Sequence, residues 1–194
     1  MTHYFSNNQD TKSNPKTINY IFHKHHFVFK TDHGVFSKDH VDTATDLLLN
    51  TVEIKPKEHV LDLGCGYGVI GTVLGVSKKA TVTMVDVNER ALALAKENAD
   101  QHKLNATIRL SQGFDALDTM YDHIVSNPPI RIGKQNLYAM FETAKAHLNS
   151  QGSLWLVMHK KHGAKSAIVF LETLYDVSVA RKQKGFHVIR CKTR

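Results

Sequence analysis

Cysteine, long apolar runs and an apolar N-terminal segment are scarce or missing in this sequence of 194 residues. Its two cysteines, Cys65 and Cys191, have no partner at the spacing of a metal site or a redox motif, so we expect reduced thiols. His23 and His25 have no cysteine or acidic residue nearby, which favours an exposed turn and no metal; a metal site stays the alternative. No stretch approaches the roughly 20 apolar residues of a membrane span, and residues 1–18 lack the apolar core of a secretory signal. The sequence therefore predicts a cytoplasmic protein with no membrane contact.

Internal repeats and low-complexity tracts, which would divide the chain into several domains, are also missing. A chain of this length supplies one well-filled hydrophobic core. Residues 1–16 are polar and show no periodicity, so we expect a flexible arm there. The prediction is a single domain over residues 17–194.

The charge of the sequence is positive, a formal +7 from 25 Lys and Arg residues against 18 Asp and Glu residues. The excess is concentrated in residues 160–194, where Glu172 and Asp176 are the only acidic residues. Such an excess favours a polyanionic partner, with nucleic acid as the first candidate. A solvated surface that only keeps the protein soluble is the alternative.

Hydrophobic periodicity predicts an α/β fold. Runs of β-branched and aromatic residues at 17–22 and 26–31 predict a small N-terminal β-hairpin, and a helix is expected to begin at Ser37 or Asp39. From residue 60 onward, strand-like runs alternate with helical patterns, which predicts a Rossmann-like, seven-stranded, mostly parallel sheet with helices on both faces. Two successive strand-like runs after residue 174 predict a C-terminal antiparallel hairpin.

A glycine-rich loop over residues 61–68 follows a predicted strand and opens a predicted helix. Ligands of open α/β sheets bind at such strand ends. Gly64, Gly66 and Gly68 let a ligand approach the backbone closely. Asp86 ends the next strand, where a carboxylate can accept the hydroxyls of a ribose.

The class of cofactor is less clear from the glycines alone, because Gly66, Gly68 and Gly71 also have the spacing of a dinucleotide site. Asp62 precedes them and would repel a pyrophosphate, but it would attract a cationic amino-acid group. The sequence therefore favours S-adenosylmethionine over NAD as the cofactor. A plain strand-to-helix turn without a ligand is the third interpretation.

The tetrapeptide Asn127-Pro128-Pro129-Ile130 closes a strand-like run over residues 121–126. Its prolines remove two backbone donors and fix two φ angles, so the chain leaves the strand in one rigid geometry. The Asn127 side-chain carbonyl and the Pro128 carbonyl can together accept the two hydrogens of an exocyclic amino group. An ordinary stop at the end of a strand is the alternative.

These segments carry a family resemblance. In order and spacing, residues 62–68, Asp86 and residues 127–130 resemble class I S-adenosylmethionine-dependent methyltransferases that act on amino groups. Residues 34–37, followed by Val41-Asp42 and an apolar helix, are similar to the small-subunit (16S) ribosomal RNA guanine-N2 methyltransferase C family. The resemblance spans most of the chain and implies S-adenosylmethionine as the cofactor.

The resemblance and the charge pattern together predict a site. The catalytic residues are Asn127, Pro128, Pro129 and Ile130. The cofactor-binding residues are Asp62, Gly64, Cys65, Gly66, Gly68, Asp86, Val87, Gln112 and Asn127. The RNA-binding residues are Phe36, Arg131, Lys134, Lys160 and Lys161. Because Ile130 is not aromatic, Phe36 or Phe114 could stack on a base, and a core position is the alternative for each of them.

The predicted function is methyl transfer to an exocyclic amine of a nucleobase in RNA, with guanine N2 of 16S ribosomal RNA as the first candidate. Hydrogen bonds from the amine to Asn127 and Pro128 would aim its lone pair at the methyl group, so no separate base is needed. Ribosomal RNA or the 30S subunit is the expected partner. Adenine-N6 methylation, protein glutamine methylation and a non-catalytic RNA-binding module are the alternatives; the sequence gives no expectation for the oligomeric state.

Overall fold

A computed structural model describes residues 13–35 and 37–194, with the backbone only at Ile130. The strands are β1 (Lys16–Phe22), β2 (His25–Thr31), β3 (His59–Leu63), β4 (Thr81–Asp86), β5 (Thr107–Leu110), β6 (Tyr121–Ser126), β7 (Leu148–His159), β8 (Asp176–Gln183) and β9 (Phe186–Lys192). The helices are α1 (Thr43–Leu49), α2 (Val69–Lys78), α3 (Glu89–Gln101), α4 (Lys134–Ala146) and α5 (Ala164–Leu171). Short 3-10 turns lie at Ile130–Ile132 and Lys160–His162.

The strands form a two-stranded and a seven-stranded sheet. β1 and β2 pair as the predicted N-terminal hairpin. The large sheet has the order β5-β4-β3-β6-β7-β9-β8; β9 is antiparallel to both of its neighbours, and the other pairs are parallel. This confirms the predicted Rossmann-like fold and its C-terminal hairpin. The chain runs outward from β3 to β5 and returns to β6 beside β3, and such a switch point opens a crevice at the carboxyl ends of the strands.

The hydrophobic core lies on both faces of the large sheet. On one face the hairpin and α1 to α3 pack against side chains such as Val60, while on the other α4 and α5 pack against Leu61 and Leu63. The alternation of these residues along β3 follows from the two-residue period of a strand. Trp155 of β7 is 1% exposed and belongs to the core on the side of the hairpin.

The start of α1 differs from the sequence prediction. The helix begins at Thr43 and not at Ser37 or Asp39. Ser37 has a left-handed φ of 54°, which is incompatible with a helix cap of extended geometry. Asp42 is extended, and its Oδ1 accepts from the backbone N–H of Ala44 at 2.8 Å, so Asp42 is the N-cap.

Asn98 joins the N-terminal hairpin to the glycine-rich loop. Its side chain is fully buried on α3; Nδ2 donates to the carbonyls of Lys30 and Tyr67 at 2.9 and 2.8 Å, and Oδ1 accepts from Lys30 N at 2.7 Å. Buried polar groups of this kind need their partners, because an unpaired one costs about 1–3 kcal/mol. One amide therefore fixes the position of the hairpin relative to the loop.

Asn98→Ala is expected to lower the free energy of unfolding by about 3 kcal/mol, because it leaves backbone groups of Lys30 and Tyr67 without a partner. Urea unfolding of the purified variant measures this. Asn50→Ala is the matched control, since the exposed Asn50 amide bonds only within α1 and its end, and there we expect a loss below about 1 kcal/mol. Equal losses in the two variants would contradict the bridging role of Asn98.

The remaining sequence predictions concern the N-terminus, metals and membranes. Residues 1–12 of the predicted arm lie outside the described residues. In the described part of the arm, Ser13 and Asn14 donate hydrogen bonds to Asp32. The division into an arm and one domain stays a prediction. Within residues 13–35 and 37–194 there is no group of three His, Cys, Asp or Glu side chains that could hold a metal ion. None of the helices described is long and apolar enough to cross a bilayer.

Candidate functional site

The candidate site lies at the carboxyl ends of β3, β4 and β6, which are adjacent in the sheet. Asp62 of β3 is in register with Met84 of β4 on one side and with Val125 of β6 on the other. The hydroxyl of Ser126 donates to the carbonyl of Leu63 at 2.7 Å, which ties the end of β6 to the end of β3. The topology therefore brings the glycine-rich loop, Asp86 and Asn127 to one edge.

The glycine-rich loop leaves open space at two of its glycines. Gly64 and Gly66 have φ values of +75° and +54°, and a Cβ on either would meet no atom within 4 Å. Gly68 differs, because a Cβ there would lie 3.0 Å from the Cβ of Ala95 on α3. Gly64 and Gly66 thus leave room for a ligand against the backbone, whereas Gly68 packs the loop onto α3.

Asp62 carries a buried oxygen that has no partner. Its side chain is fully buried; Oδ2 accepts from the backbone N–H of Gly71 at 2.8 Å, and Oδ1 has no hydrogen-bond partner among the described residues. Burial, followed by the negative charge of Asp86, raises the pKa of Asp62 to about 7. A buried carboxylate with a free lone pair is costly unless a donor reaches it, so the site fits a cationic or N–H-bearing ligand.

Asp86 holds the glycine-rich loop from β4. Its Oδ2 accepts from the backbone N–H of Gly66 at 2.8 Å, and its Oδ1 accepts from Asn88 N at 2.9 Å. Each carboxylate oxygen retains a lone pair for a hydroxyl of a ligand. Val87 follows, half-buried, and the exposed Gln112 lies just beyond β5, next to β4.

Cys65 and Phe114 are both buried. Cys65 lies in the glycine-rich loop between Gly64 and Gly66, and its contact with the cofactor stays a prediction. Burial, followed by the charges of Asp62 and Asp86, raises the pKa of the Cys65 thiol well above its usual range, so it stays protonated. Phe114 is buried in the core beside α4, and its ring stacks on that of His147 at 4.8 Å. Of the two roles considered for Phe114, stacking on a base and packing in the core, the structure shows the core position. Phe36, the other candidate, lies outside the described residues.

Asn127 is held by two residues that the sequence reasoning did not assign to the site. Its Nδ2 donates to Oδ2 of Asp42 at 3.2 Å and to Oγ1 of Thr45 at 3.1 Å. The Thr45 hydroxyl itself donates to the same Asp42 oxygen at 2.6 Å, so it must accept from Asn127. These contacts fix the orientation of the amide from its Nδ2 side, and Oδ1 is the acceptor on its other side.

The prolines turn the chain away directly after Asn127. Pro128 is buried, and the carbonyl of Pro129 accepts from the backbone N–H of Ile132 at 3.2 Å, which closes the 3-10 turn. Ile130 begins this turn. The geometry keeps Asn127 at the end of β6, as the rigidity of two prolines predicts.

The predicted phosphate-binding residues lie at the same edge of the sheet, beyond β6 and β7. Arg131 is exposed in the 3-10 turn after β6, and Lys134 begins α4 with its Nζ 5.2 Å from the ring centre of Tyr138. Lys160 and Lys161 are exposed in the 3-10 turn that follows β7. These positive charges thus border the candidate site on the side of Asn127.

Comparisons with known proteins give a family and several relatives. The model of the family described as "Methyltransferase small domain" matches residues 26–190. An uncharacterized Bacillus subtilis protein, YbxB, is 44% identical over 98% of this chain and 98% of its own length. A Haemophilus influenzae protein named ribosomal RNA small subunit methyltransferase C is 40% identical over 60% of this chain and 37% of its own length.

Among solved structures, the 16S rRNA N2 methyltransferase of T. thermophilus, in complex with AdoMet and guanosine, has a TM-score of 0.80 and 23% sequence identity. The match covers 93% of this chain and 51% of that one. This likeness establishes the fold. The chain spans about half, or less, of the length of the two ribosomal RNA methyltransferases that it matches.

Proposed function

Because the chain belongs to the methyltransferase small domain family, we propose that it transfers a methyl group from S-adenosylmethionine to an exocyclic amine of RNA, with guanine N2 of 16S ribosomal RNA as the target. One observation carries the proposal. An unpartnered buried carboxylate oxygen on Asp62 and an oriented amide oxygen on Asn127 lie at the ends of adjacent strands. The first suits the cation of an amino acid, and the second suits an amine.

The cofactor half of the site comprises the glycine-rich loop and the end of β4. S-adenosylmethionine supplies an electrophilic methyl group on a sulfonium. In the proposed complex Asp62 binds its ammonium group, Gly64 and Gly66 admit it against the backbone, and Asp86 accepts its ribose hydroxyls. In the same proposed complex Val87 contacts the face of the adenine ring, and Gln112 binds the polar edge of that ring.

The catalytic half of the site is Asn127 with Pro128. The lone pair of a nucleobase amine is delocalised into the ring, so the amine is a poor nucleophile. Hydrogen bonds from its two hydrogens to Asn127 Oδ1 and the Pro128 carbonyl favour a tetrahedral nitrogen whose lone pair points at the methyl group. The same acceptors stabilise the positive charge that develops on nitrogen. The proton then leaves to water, and no histidine is needed as a base.

The RNA must present its base outside a helical stack, because a stacked base cannot reach two acceptors at the end of a strand. Arg131, Lys134, Lys160 and Lys161 are proposed to bind phosphates beside the base. Contacts of this kind give affinity that depends on salt and do not select a sequence. The relatives named for ribosomal RNA support 16S ribosomal RNA or the 30S subunit as the substrate.

The class of acceptor is tested by incubating the protein with tritium-labelled S-adenosylmethionine and, separately, total RNA, 30S subunits and a ribosome-free protein extract. We expect label in RNA or in 30S subunits. Label confined to protein would move the acceptor to a glutamine side chain, whose amide also offers two hydrogens. Calorimetric binding of the cofactor without any transfer would instead favour a module that binds RNA without catalysis.

Thr45→Val is expected to lower the turnover number about tenfold and to leave cofactor affinity unchanged, because it removes the hydroxyl that accepts from Asn127. Thr45→Ser keeps the hydroxyl and should restore most of the turnover. Thr51→Val is the matched control, since the Thr51 hydroxyl, just beyond α1, donates only to the carbonyl of Leu47 in that helix. If Thr45→Val and Thr51→Val behaved alike, Thr45 would have only a structural role.

A further inference from the structure

The carboxyl edge of the large sheet is divided by charge. On the side of β3 and β4 lie the carboxylates of Asp62 and Asp86. On the other side, no acidic residue occurs after β6 (residues 127–141), after β7 (residues 159–171) or around the β8–β9 turn (residues 181–192). Because β6, β7 and β9 are neighbours, the lysines of these segments form a row. Five of them, which we term the basic ridge, lie on the segments beyond β7, at the end of β8 and at the β8–β9 turn: Lys160, Lys161, Lys165, Lys182 and Lys184.

The two segments that carry the ridge are joined directly. Lys160 N donates to the carbonyl of Gly185, in the β8–β9 turn, at 2.8 Å. The ring of His159 fits against Gly185, where a Cβ would come within 2.5 Å of its Nε2, and packs edge-on against the ring of Phe186 at 4.8 Å. Gly185 has a φ of +83°, which also favours glycine. The turn is therefore held against the residues that follow β7, and the ridge is one continuous surface.

The charges of the ridge are exposed and not neutralised. All five lysine side chains are exposed, and none forms an ion pair with any residue in the described part of the chain. Three of these lysines act on His187, whose pKa is lowered first by burial and then by nearby positive charges that include Lys182, Lys160 and Lys165. Concentrated, unpaired positive charge of this kind suits a phosphate backbone.

We propose that the basic ridge, including the β8–β9 turn, binds the backbone of the RNA strand on one side of the target nucleotide. The inference rests on the proposed function and extends it to Lys165, Lys182 and Lys184. β7, β9 and β8 lie one, two and three strands from β6, which places the ridge about 5–15 Å along the sheet from Asn127. That span reaches the phosphates next to a base held by Asn127. The strand thus runs across the ends of β6, β7 and β9, away from the acidic cofactor side.

The double variant Lys182→Gln/Lys184→Gln tests this surface through the binding of a fluorescent single-stranded RNA, measured by anisotropy over a series of salt concentrations. We expect affinity about tenfold weaker and a plot of log K against log salt shallower by about 1 to 2. Lys165→Gln alone should act in the same direction by about half as much. Lys55→Gln/Lys145→Gln is the matched control: it removes the same charge from exposed residues at the opposite edge of the sheet, and we expect little change.

Each outcome decides the proposal. Equal losses in the ridge and control variants would mean that net charge alone matters, and would overturn the ridge. Tighter binding of poly-glutamate than of RNA at the same salt, lost in the ridge variant, would assign the surface to an acidic protein and also overturn it. If RNA binding depends on the ridge but no RNA is methylated, the proposed function is wrong and RNA binding by the ridge is still supported. If RNA is methylated but the ridge variant has an unchanged salt slope, only the role of the ridge is wrong.

Discussion

Replacing Asn127 by alanine is expected to lower the rate of methyl transfer by about 100- to 1000-fold, the range found when one preorganised group that stabilises a transition state is removed. The reason is geometric. Asp42 and Thr45 accept from Nδ2 of Asn127, so the amide is oriented and its Oδ1 is held ready for the amine before the substrate binds. Single-turnover transfer with saturating cofactor measures the rate, and calorimetry measures cofactor affinity, which should change far less.

Asn149→Ala is the matched control for this variant. The Asn149 amide also donates to a carboxylate, Oδ1 of Asp122 at 2.7 Å, but it lies at the opposite edge of the sheet. We expect its rate of transfer to stay near that of the wild type. Losses of similar size in cofactor affinity and in transfer by Asn127→Ala would contradict the assignment of Asn127 to the target amine.

Asp62→Asn is expected to weaken S-adenosylmethionine binding by about 100-fold, because it removes the negative charge proposed to face the ammonium group. Asparagine keeps an oxygen for the backbone N–H of Gly71, so the loop should remain in place. In the wild type, affinity should also fall as the pH drops below about 7, since Asp62 then binds a proton. Calorimetry of both proteins at pH 6 and pH 8.5 measures the two effects, and equal affinity in both proteins would exclude Asp62 from the cofactor site.

The same substitution should stabilise the protein without cofactor at high pH. The pKa of Asp62 is about 7 in the folded state and about 4 in the unfolded state, so the folded state binds more protons between these values and stability falls as the pH rises through this range. Above pH 7 the ionised Asp62 lowers the free energy of unfolding by its full amount, at most about 4 kcal/mol, and Asp62→Asn removes this loss. Urea unfolding at pH 5.5 and pH 8.5 should show a larger gain at pH 8.5.

Asp122→Asn is a control in which replacing a carboxylate should change the stability of the protein in the opposite direction. Partial burial alone would raise the pKa of Asp122, but hydrogen bonds from His59 N and the Asn149 amide lower it below the ordinary value. A lowered pKa contributes stability above the unfolded pKa, so Asp122→Asn should destabilise the protein at neutral pH and leave cofactor affinity unchanged. A gain in stability for both variants would mean that the change at Asp62 reflects a general effect of removing negative charge.

The parts of the site that sequence predicts are those with a local signature. Glycines after a buried strand, an acidic residue at the end of the next strand, and Asn-Pro-Pro after a third strand each carry a pattern within a few residues. The parallel sheet then brings them to one edge, because all three strands end there.

The supporting contacts have no such signature. Asp42 and Thr45 show the spacing of a helix cap, but their contact with Asn127 joins residues more than 80 positions apart and depends on how α1 packs over the sheet. Asn98 likewise reads as one polar residue in a helix, although it bridges the hairpin and the glycine-rich loop. The burial of Phe114 against His147 also depends on the packing of α4 and is not encoded locally.

The most direct test of the account is the identity of the methylated nucleoside. The protein is incubated with S-adenosylmethionine that carries a deuterated methyl group and with 30S subunits from cells that lack this protein, and the RNA is digested to nucleosides for mass spectrometry. The account predicts deuterated 2-methylguanosine with the wild type and almost none with Asn127→Ala. Deuterium only in 6-methyladenosine, or only in protein, would contradict it.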